Sequence, residues 1–430
     1  MDRLDSKQLY DMWTELGMEV KLHDKLLENS EKLHKRNYLW QTNRPIAMKL
    51  FDTALHDSHG QRVAEIVDYR NAGGKSIGTF CIYVPDEIAM AADVLNIPLC
   101  GGTGFTVDYA DKVLPRDICP LVRSTFGMAI SGTCPYKTLK DFVLGETTCD
   151  AKKKTWDLFG IRSLEVPQKK NPVDKALWLG EVKSFMAQLE DLSGVKVTAE
   201  NLREAIKKQN RKRSILNSIS AFRKLENPPI SGLDALLISQ VALNMDIDAF
   251  ILAGEMLLKE LEERTDKSIS AYSAPGVRVL MAGTPSPMGY AKIHAAAEMS
   301  GLRVVMDESC TGLRYSRGNV PEDLQTVEEM VVAIADRYFD IDCACFSPNS
   351  ERMENVRAVI EEFNVEGVIH NILQYCHGFN VEAGAQDSIF SEINVPSLKI
   401  VSDYSQEDME QIKLRLEAFG GIVENTRGDR

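Results

Sequence analysis

Two stretches of this chain alternate short apolar runs with helical segments, and in both the runs repeatedly end at or near a cysteine. Parallel strands need a crossover long enough to hold a helix, so such alternation folds as an open, largely parallel sheet with helices on its faces. In the first stretch, Ser76–Phe80 leads into Cys81 and a helix is expected from about Pro85 to Leu95. A short strand at Ile97–Cys100, a glycine turn and a helix after Cys119 come next. Phe142–Gly145 reads as a third strand ending near Cys149, and Ser163–Val166 as a fourth. In the second stretch the strands are Val277–Met281, Leu302–Met306 running out at Cys310, Gly367–Leu373 ending at Cys376, and Ser397–Val401. Helices near Tyr290–Met299, Val327–Phe339, Glu351–Phe363 and Gln406–Phe419 separate or close them. The expected fold is α/β: two Rossmann-like domains with open, largely parallel sheets, plus N-terminal and central helical segments. The boundaries are 1–70 for an N-terminal helical region, 71–172 and 271–430 for the two domains, and 173–270 for the central helices.

Composition narrows the function. The chain has 50 Lys and Arg against 63 Asp and Glu, a formal charge of −13. That balance argues against nucleic-acid or anionic-membrane binding. No apolar run approaches the roughly 18 residues that span a bilayer. The opening Met-Asp-Arg-Leu-Asp-Ser-Lys has no apolar segment behind it, so a cytoplasmic protein is expected. A basic run, Lys207–Arg213, reads as a solvated helix face, or more sharply as a docking surface. Nine cysteines, an odd number, in a reducing compartment disfavour a disulfide framework, and none has C-x2-C spacing. No P-loop, G-x-G-x-x-G or G-x-S-x-G motif is present.

The cysteines carry what chemistry there is. Cys81, Cys310 and Cys376 follow strands, and Cys119 and Cys149 precede helices. The carboxyl ends of strands in an open α/β sheet form its ligand crevice, and helix N-termini there favour thiolates. About three thiolates from each half suit an iron–sulfur centre and are too many for one zinc ion. The bland alternative, that each is a small buried hydrophobe, carries comparable weight. His23, His34, His56 and His59 fall in the N-terminal helices and read as surface residues. A nucleophilic Cys376–His377 pair is disfavoured, because sequence neighbours on a turn point apart.

Six segments resemble the 2-hydroxyacyl-CoA dehydratase / benzoyl-CoA reductase superfamily. They are Phe80-Cys-Ile-Tyr-Val-Pro-Asp-Glu-Ile88, Leu114-Pro-Arg-Asp-Ile-Cys-Pro-Leu-Val-Arg123, Gly145-Glu-Thr-Thr-Cys-Asp150, Glu308-Ser-Cys-Thr-Gly312, Cys343-Ala-Cys-Phe-Ser-Pro-Asn349 and Leu373-Gln-Tyr-Cys-His377. Within it the chain looks similar to the double-cubane cluster branch. That resemblance implies two 4Fe-4S cubanes bridged by sulfide, each held by three cysteines, in a homodimer. The ligands it implies are Cys81, Cys119 and Cys149 from the first domain, and Cys310, Cys376 and Cys345 from the second, with Cys343 as the alternative to Cys345. It leaves Cys100 and Cys134 without a place, although Cys134 is an alternative to Cys81. It further implies a separate ATP-hydrolysing iron–sulfur reductase as electron donor and a small-molecule substrate. The alternatives are a 2-hydroxyacyl-CoA dehydratase subunit with a single 4Fe-4S cluster, or a non-catalytic electron-transfer protein. Arg123, Asp150, Lys152, Glu308 and His377 are candidate neighbours of the ligands, chosen only for adjacency.

Overall fold

A computed structural model describes residues 3–427. Four helices come first: α1 Ser6–Glu15, α2 Val20–Tyr38, α3 Met48–Asp57 and α4 Gln61–Asn71. Asp5 starts α1 with a capping box, its carboxylate accepting from the Lys7 and Gln8 amides while the Gln8 side chain accepts from the Asp5 amide. The first sheet and its helices follow: β1 Lys75–Thr79, α5 Asp86–Ala91, β2 Val94–Pro98, α6 Val107–Ala110, α7 Pro120–Ile130, β3 Phe142–Glu146, α8 Asp150–Phe159 and β4 Arg162–Leu164. The central helices are α9 Pro172–Ser193, α10 Ala199–Ala221, α11 Gly232–Ala242 and α12 Ile247–Asp266. The second sheet and its helices are β5 Val277–Gly283, α13 Lys292–Met299, β6 Leu302–Asp307, α14 Leu313–Ser316, α15 Val327–Phe339, α16 Ser350–Glu362, β7 Gly367–Leu373, α17 His377–Glu392, β8 Ser397–Ser402 and α18 Met409–Arg427.

Both sheets have four parallel strands and the same order, β2-β1-β3-β4 and β6-β5-β7-β8. These are two Rossmann-like domains. In this order the winding reverses between β1 and β3, and again between β5 and β7, which opens a crevice beyond the strand ends at each point. Burial follows position in the sheet. The inner strand β7 is buried along its whole length, while the edge strand β8 is largely exposed, with only Ile400 and Ser402 buried.

The helix expected from Pro85 to Leu95 is shorter than its pattern suggested. It ends at Ala91, Asp93 turns the chain with φ of 52°, and β2 begins at Val94. Pairing decides this: Val94 lies opposite Lys75 and Ile97 opposite Gly78. The closing helix also runs further than expected, to Arg427.

The central helices join the two domains. Arg213 of α10 pairs with Glu87 of α5, and Glu87 Oε2 accepts from Tyr338 Oη of α15 at 2.9 Å. Tyr338 Oη also accepts from the Asp86 amide at 3.2 Å. Trp178 of α9 donates to the Ala335 carbonyl at 2.8 Å. The basic run divides: Lys207, Lys208 and Arg211 pair with Glu204, Asp248 and Glu255 on the surface, whereas Lys212 and Arg213 are buried. The N-terminal helices are bound in the same way, through Arg44, which bridges Asp52 of α3 and Asp234 of α11 at 3.0 and 2.8 Å. No helix among the described residues is long and apolar enough to cross a membrane.

Candidate functional site

Local structure places the predicted thiols at strand ends and helix starts, except in the segment of Cys343 and Cys345. Cys81 lies just beyond β1. Cys119, Cys149 and Cys376 are the N-caps of α7, α8 and α17, where the aligned peptide dipoles favour a thiolate. Cys310 follows β6, and Cys343 and Cys345 occupy a turn ahead of α16.

The fold brings these thiols together in pairs, two of which cross between the domains. Cys81 lies beside Cys310, and Cys119 beside Cys376. The third pair is local, Cys343 with Cys345. In each pair one sulfur keeps its proton and the other yields it more readily. Cys310 is lowered by its neighbour Cys81, and Cys119, beside Cys376, falls to about 7. Cys343, beside Cys345, falls to about 6. The partners Cys81, Cys376 and Cys345 are raised by these neighbours and by burial. Cys149 is the most exposed of the set, and desolvation raises it.

Cations balance this group. Lys152 pairs with Glu146, whose side chain is fully buried. Burial opposes the charge on Lys152, but Glu146 outweighs it and holds the ammonium protonated. On the other side Arg314 Nη1 stands 3.8 Å from Cys310 Sγ. Glu308 fixes both Arg314 and Arg352, at 2.5 and 2.6 Å, and both guanidiniums lie over the Phe379 ring. Between the domains lies a cavity of about 340 Å3 lined by Pro120, Arg123, Tyr290 and Tyr404. The Tyr404 hydroxyl is buried without a hydrogen-bond partner.

Of the neighbours chosen by adjacency, Glu308 is buried and Lys152 half-buried, both in charge networks beside the thiols. Arg123 is held by Asp111 at 2.8 Å, and Asp150 and His377 are exposed. Sequence reading missed Arg314, Arg352 and Tyr404. Arg314, four residues after Cys310, was the one with a local signal. It also left Cys100 aside. Cys100 follows β2, the topological place that Cys310 occupies after β6, and its Sγ donates to the Phe80 carbonyl at 2.7 Å. Cys134 packs with Tyr136 and Leu139 near Met12 and Trp13, apart from the paired thiols. Contrary to expectation, His23 and His34 are buried.

The chain belongs to the family of the 2-hydroxyglutaryl-CoA dehydratase D-component, whose model matches residues 81–423, and so to the 2-hydroxyacyl-CoA dehydratase superfamily. It is 33% identical over 365 residues to YjiM of Escherichia coli (strain K12), provisionally named a dehydratase subunit; the match covers 82% of this chain and 93% of that protein. It is 23% identical over 356 residues to the (R)-phenyllactyl-CoA dehydratase beta subunit of Clostridium sporogenes, covering 81% and 91%. It is 22% identical over 358 residues to a benzoyl-CoA reductase subunit from Thauera aromatica, again covering 81% and 91%.

The donor set fits an iron–sulfur cofactor. Among the described residues no three Cys, His, Asp or Glu side chains converge as ligands of one metal ion would. The thiols are instead distributed in pairs along two facing domain edges, and three of them are drawn toward the thiolate form. Soft thiolates flanked by ammonium and guanidinium groups suit a polynuclear anionic cluster.

Proposed function

We propose that this chain is an iron–sulfur reductase that receives low-potential electrons from a separate ATP-hydrolysing iron–sulfur reductase and reduces a small substrate. The observation that carries the reading is that one chain brings cysteines from both domains into contact, Cys81 with Cys310 and Cys119 with Cys376. Cys81, Cys119 and Cys149 of domain 71–172 are the proposed ligands of one cubane, and Cys310, Cys376 and Cys345, with Cys343 as the alternative, those of the other in domain 271–430. Bound there, a double-cubane cluster would store electrons at low potential and pass them on. The chain's own residues fix the thiols at strand ends, set their charge through Lys152 and Arg314, and hold the domains at constant separation through Arg213. The working form is a cytoplasmic homodimer.

The test is iron and acid-labile sulfide in protein purified and reconstituted without oxygen. A double cubane requires about eight irons per chain and a single 4Fe-4S cluster about four. Zinc alone, or no metal, rejects the reading. The second reading, a 2-hydroxyacyl-CoA dehydratase subunit, is favoured by the names of the relatives and predicts the lower count.

A further inference from the structure

Helices α2 and α3 and the glycine turn after β2 enclose a cavity of about 540 Å3, within the size range of small-molecule sites. Its lining includes His34, His56, His59 and Cys100. Cys100 is bonded to the carbonyl of Phe80, the residue before Cys81, so the cavity adjoins the thiol site.

The hydrogen bonds assign the tautomers on one wall. His59 Nδ1 and His23 Nε2 lie 2.9 Å apart, and burial lowers His23 to about 3 and His59 to about 4. Both rings are therefore neutral and carry one proton each. His23 Nδ1 is buried with no partner. A proton there would be an orphaned buried N–H, which is rarer in proteins than an unused acceptor. His23 therefore donates from Nε2, His59 accepts at Nδ1, and the His59 proton sits on Nε2, where no described residue accepts it.

On the other wall Asp52 Oδ1 stands 3.0 Å from His34 Nε2, and His34 Nδ1 stands 3.2 Å from His56 Nε2. Arg44 grips both oxygens of Asp52 at 3.0 Å. Where His34 carries a single proton, the carboxylate holds it on Nε2, and His56 then donates from its own Nε2 and presents Nδ1 as an acceptor. This is the logic by which a buried carboxylate orients a histidine in a catalytic triad. Burial is the leading cause that lowers His56 below the ordinary imidazole value, and Asp52, Glu31 and Asp57 oppose it. Glu28 and Glu31 in the lining disfavour an anion.

We propose that this cavity binds the substrate, a small uncharged molecule with an acceptor for His59 Nε2–H and a donor for His56 Nδ1, as in an amide or a hydroxycarbonyl compound. The inference rests on the reductase reading, to which it adds the substrate class and its two contacts. The probe is acetamide, observed by saturation-transfer NMR on anaerobic, iron-loaded protein, with acetone as the acceptor-only control. Acetamide is expected to bind, and acetone about fivefold more weakly, as for the loss of one hydrogen bond. His59→Phe and His56→Phe should each weaken acetamide about fivefold, whereas the surface variant Lys207→Gln should not. Equal binding to all variants, or no binding of acetamide to the wild type, overturns the proposal. Iron content of the same samples separates the two readings: low wild-type iron rejects the cluster, while full iron with no acetamide binding rejects only this site.

Discussion

Arg213→Met tests the interdomain lock. Glu87 is fully buried and Arg213 nearly so, and the pair sits where α5, α10 and α15 meet. Removing one member of a buried ion pair costs roughly 3–5 kcal/mol, because the remaining charge is left uncompensated. Here Glu87 Oε2 keeps its bond from Tyr338 at 2.9 Å, so the lower end applies. About 3 kcal/mol is a factor of roughly 100 in the unfolding equilibrium. In the wild type burial pushes Glu87 up, but Arg213 and Arg337 outweigh it and hold the carboxyl below its usual range. Its stabilising contribution is therefore present above the unfolded-state pKa, near 4.5, and is lost as pH falls through the lower folded value. Without Arg213 the folded carboxyl shifts upward and takes a proton at low pH. The deficit of the variant should thus be small near pH 4 and grow through pH 7. Urea unfolding at several pH values measures it, and Arg213→Met with Glu87→Gln should recover much of the loss at pH 7. A loss below about 1 kcal/mol, or one that does not change with pH, refutes the assignment of Arg213 as the counter-charge of a buried carboxylate.

Other consequences follow from the same geometry. Cys119→Ser and Cys376→Ser should each sharply lower iron content while Cys100→Ser does not, measured on reconstituted protein with circular dichroism as the folding control. Lys152→Met should lose iron more readily than Lys152→Arg during gel filtration, because only the arginine keeps a cation beside Glu146 and the thiols. Gly232→Ala should destabilise the chain by roughly 1–3 kcal/mol in urea melts, since its added Cβ would stand 2.0 Å from the Val304 carbonyl oxygen. The isolated chain should hydrolyse no ATP, and substrate reduction should appear only when an ATPase reductase is added.

The strands were legible because they are short apolar runs bounded by turn residues, and the cysteines because they lie at those bounds. β2 was misplaced because Val94 and Leu95 continue the apolar pattern of α5, and only pairing with β1 separates them. The i, i+2 spacing of Cys343 and Cys345 did not reveal a turn. Asp150 and Lys152 stand one and three positions after Cys149, yet Lys152 is held half-buried against Glu146 and Asp150 is exposed. Arg352 is 42 positions from Cys310, and its role depends on Glu308 and Phe379 meeting it in space. His23 and His34 looked like surface residues because their partners, such as Asp52 for His34, come from elsewhere in the chain.

The shared strand order of the two sheets has a consequence for half-molecules. Matched by strand order, Cys149 corresponds to Cys376, Cys119 to the Cys343–Cys345 turn, and Cys100 to Cys310. Cys81 has no counterpart, because Thr284 and Pro285 follow β5. The backbones are related like duplicates, but the thiols are not. Two copies of the first half would carry two thiols of the Cys81 type, and two copies of the second half none. Cys81 meets Cys310 and Cys119 meets Cys376 only across unlike halves. Each half has therefore become the obligate complement of the other, and a fragment pairing that rebuilds the site needs one of each.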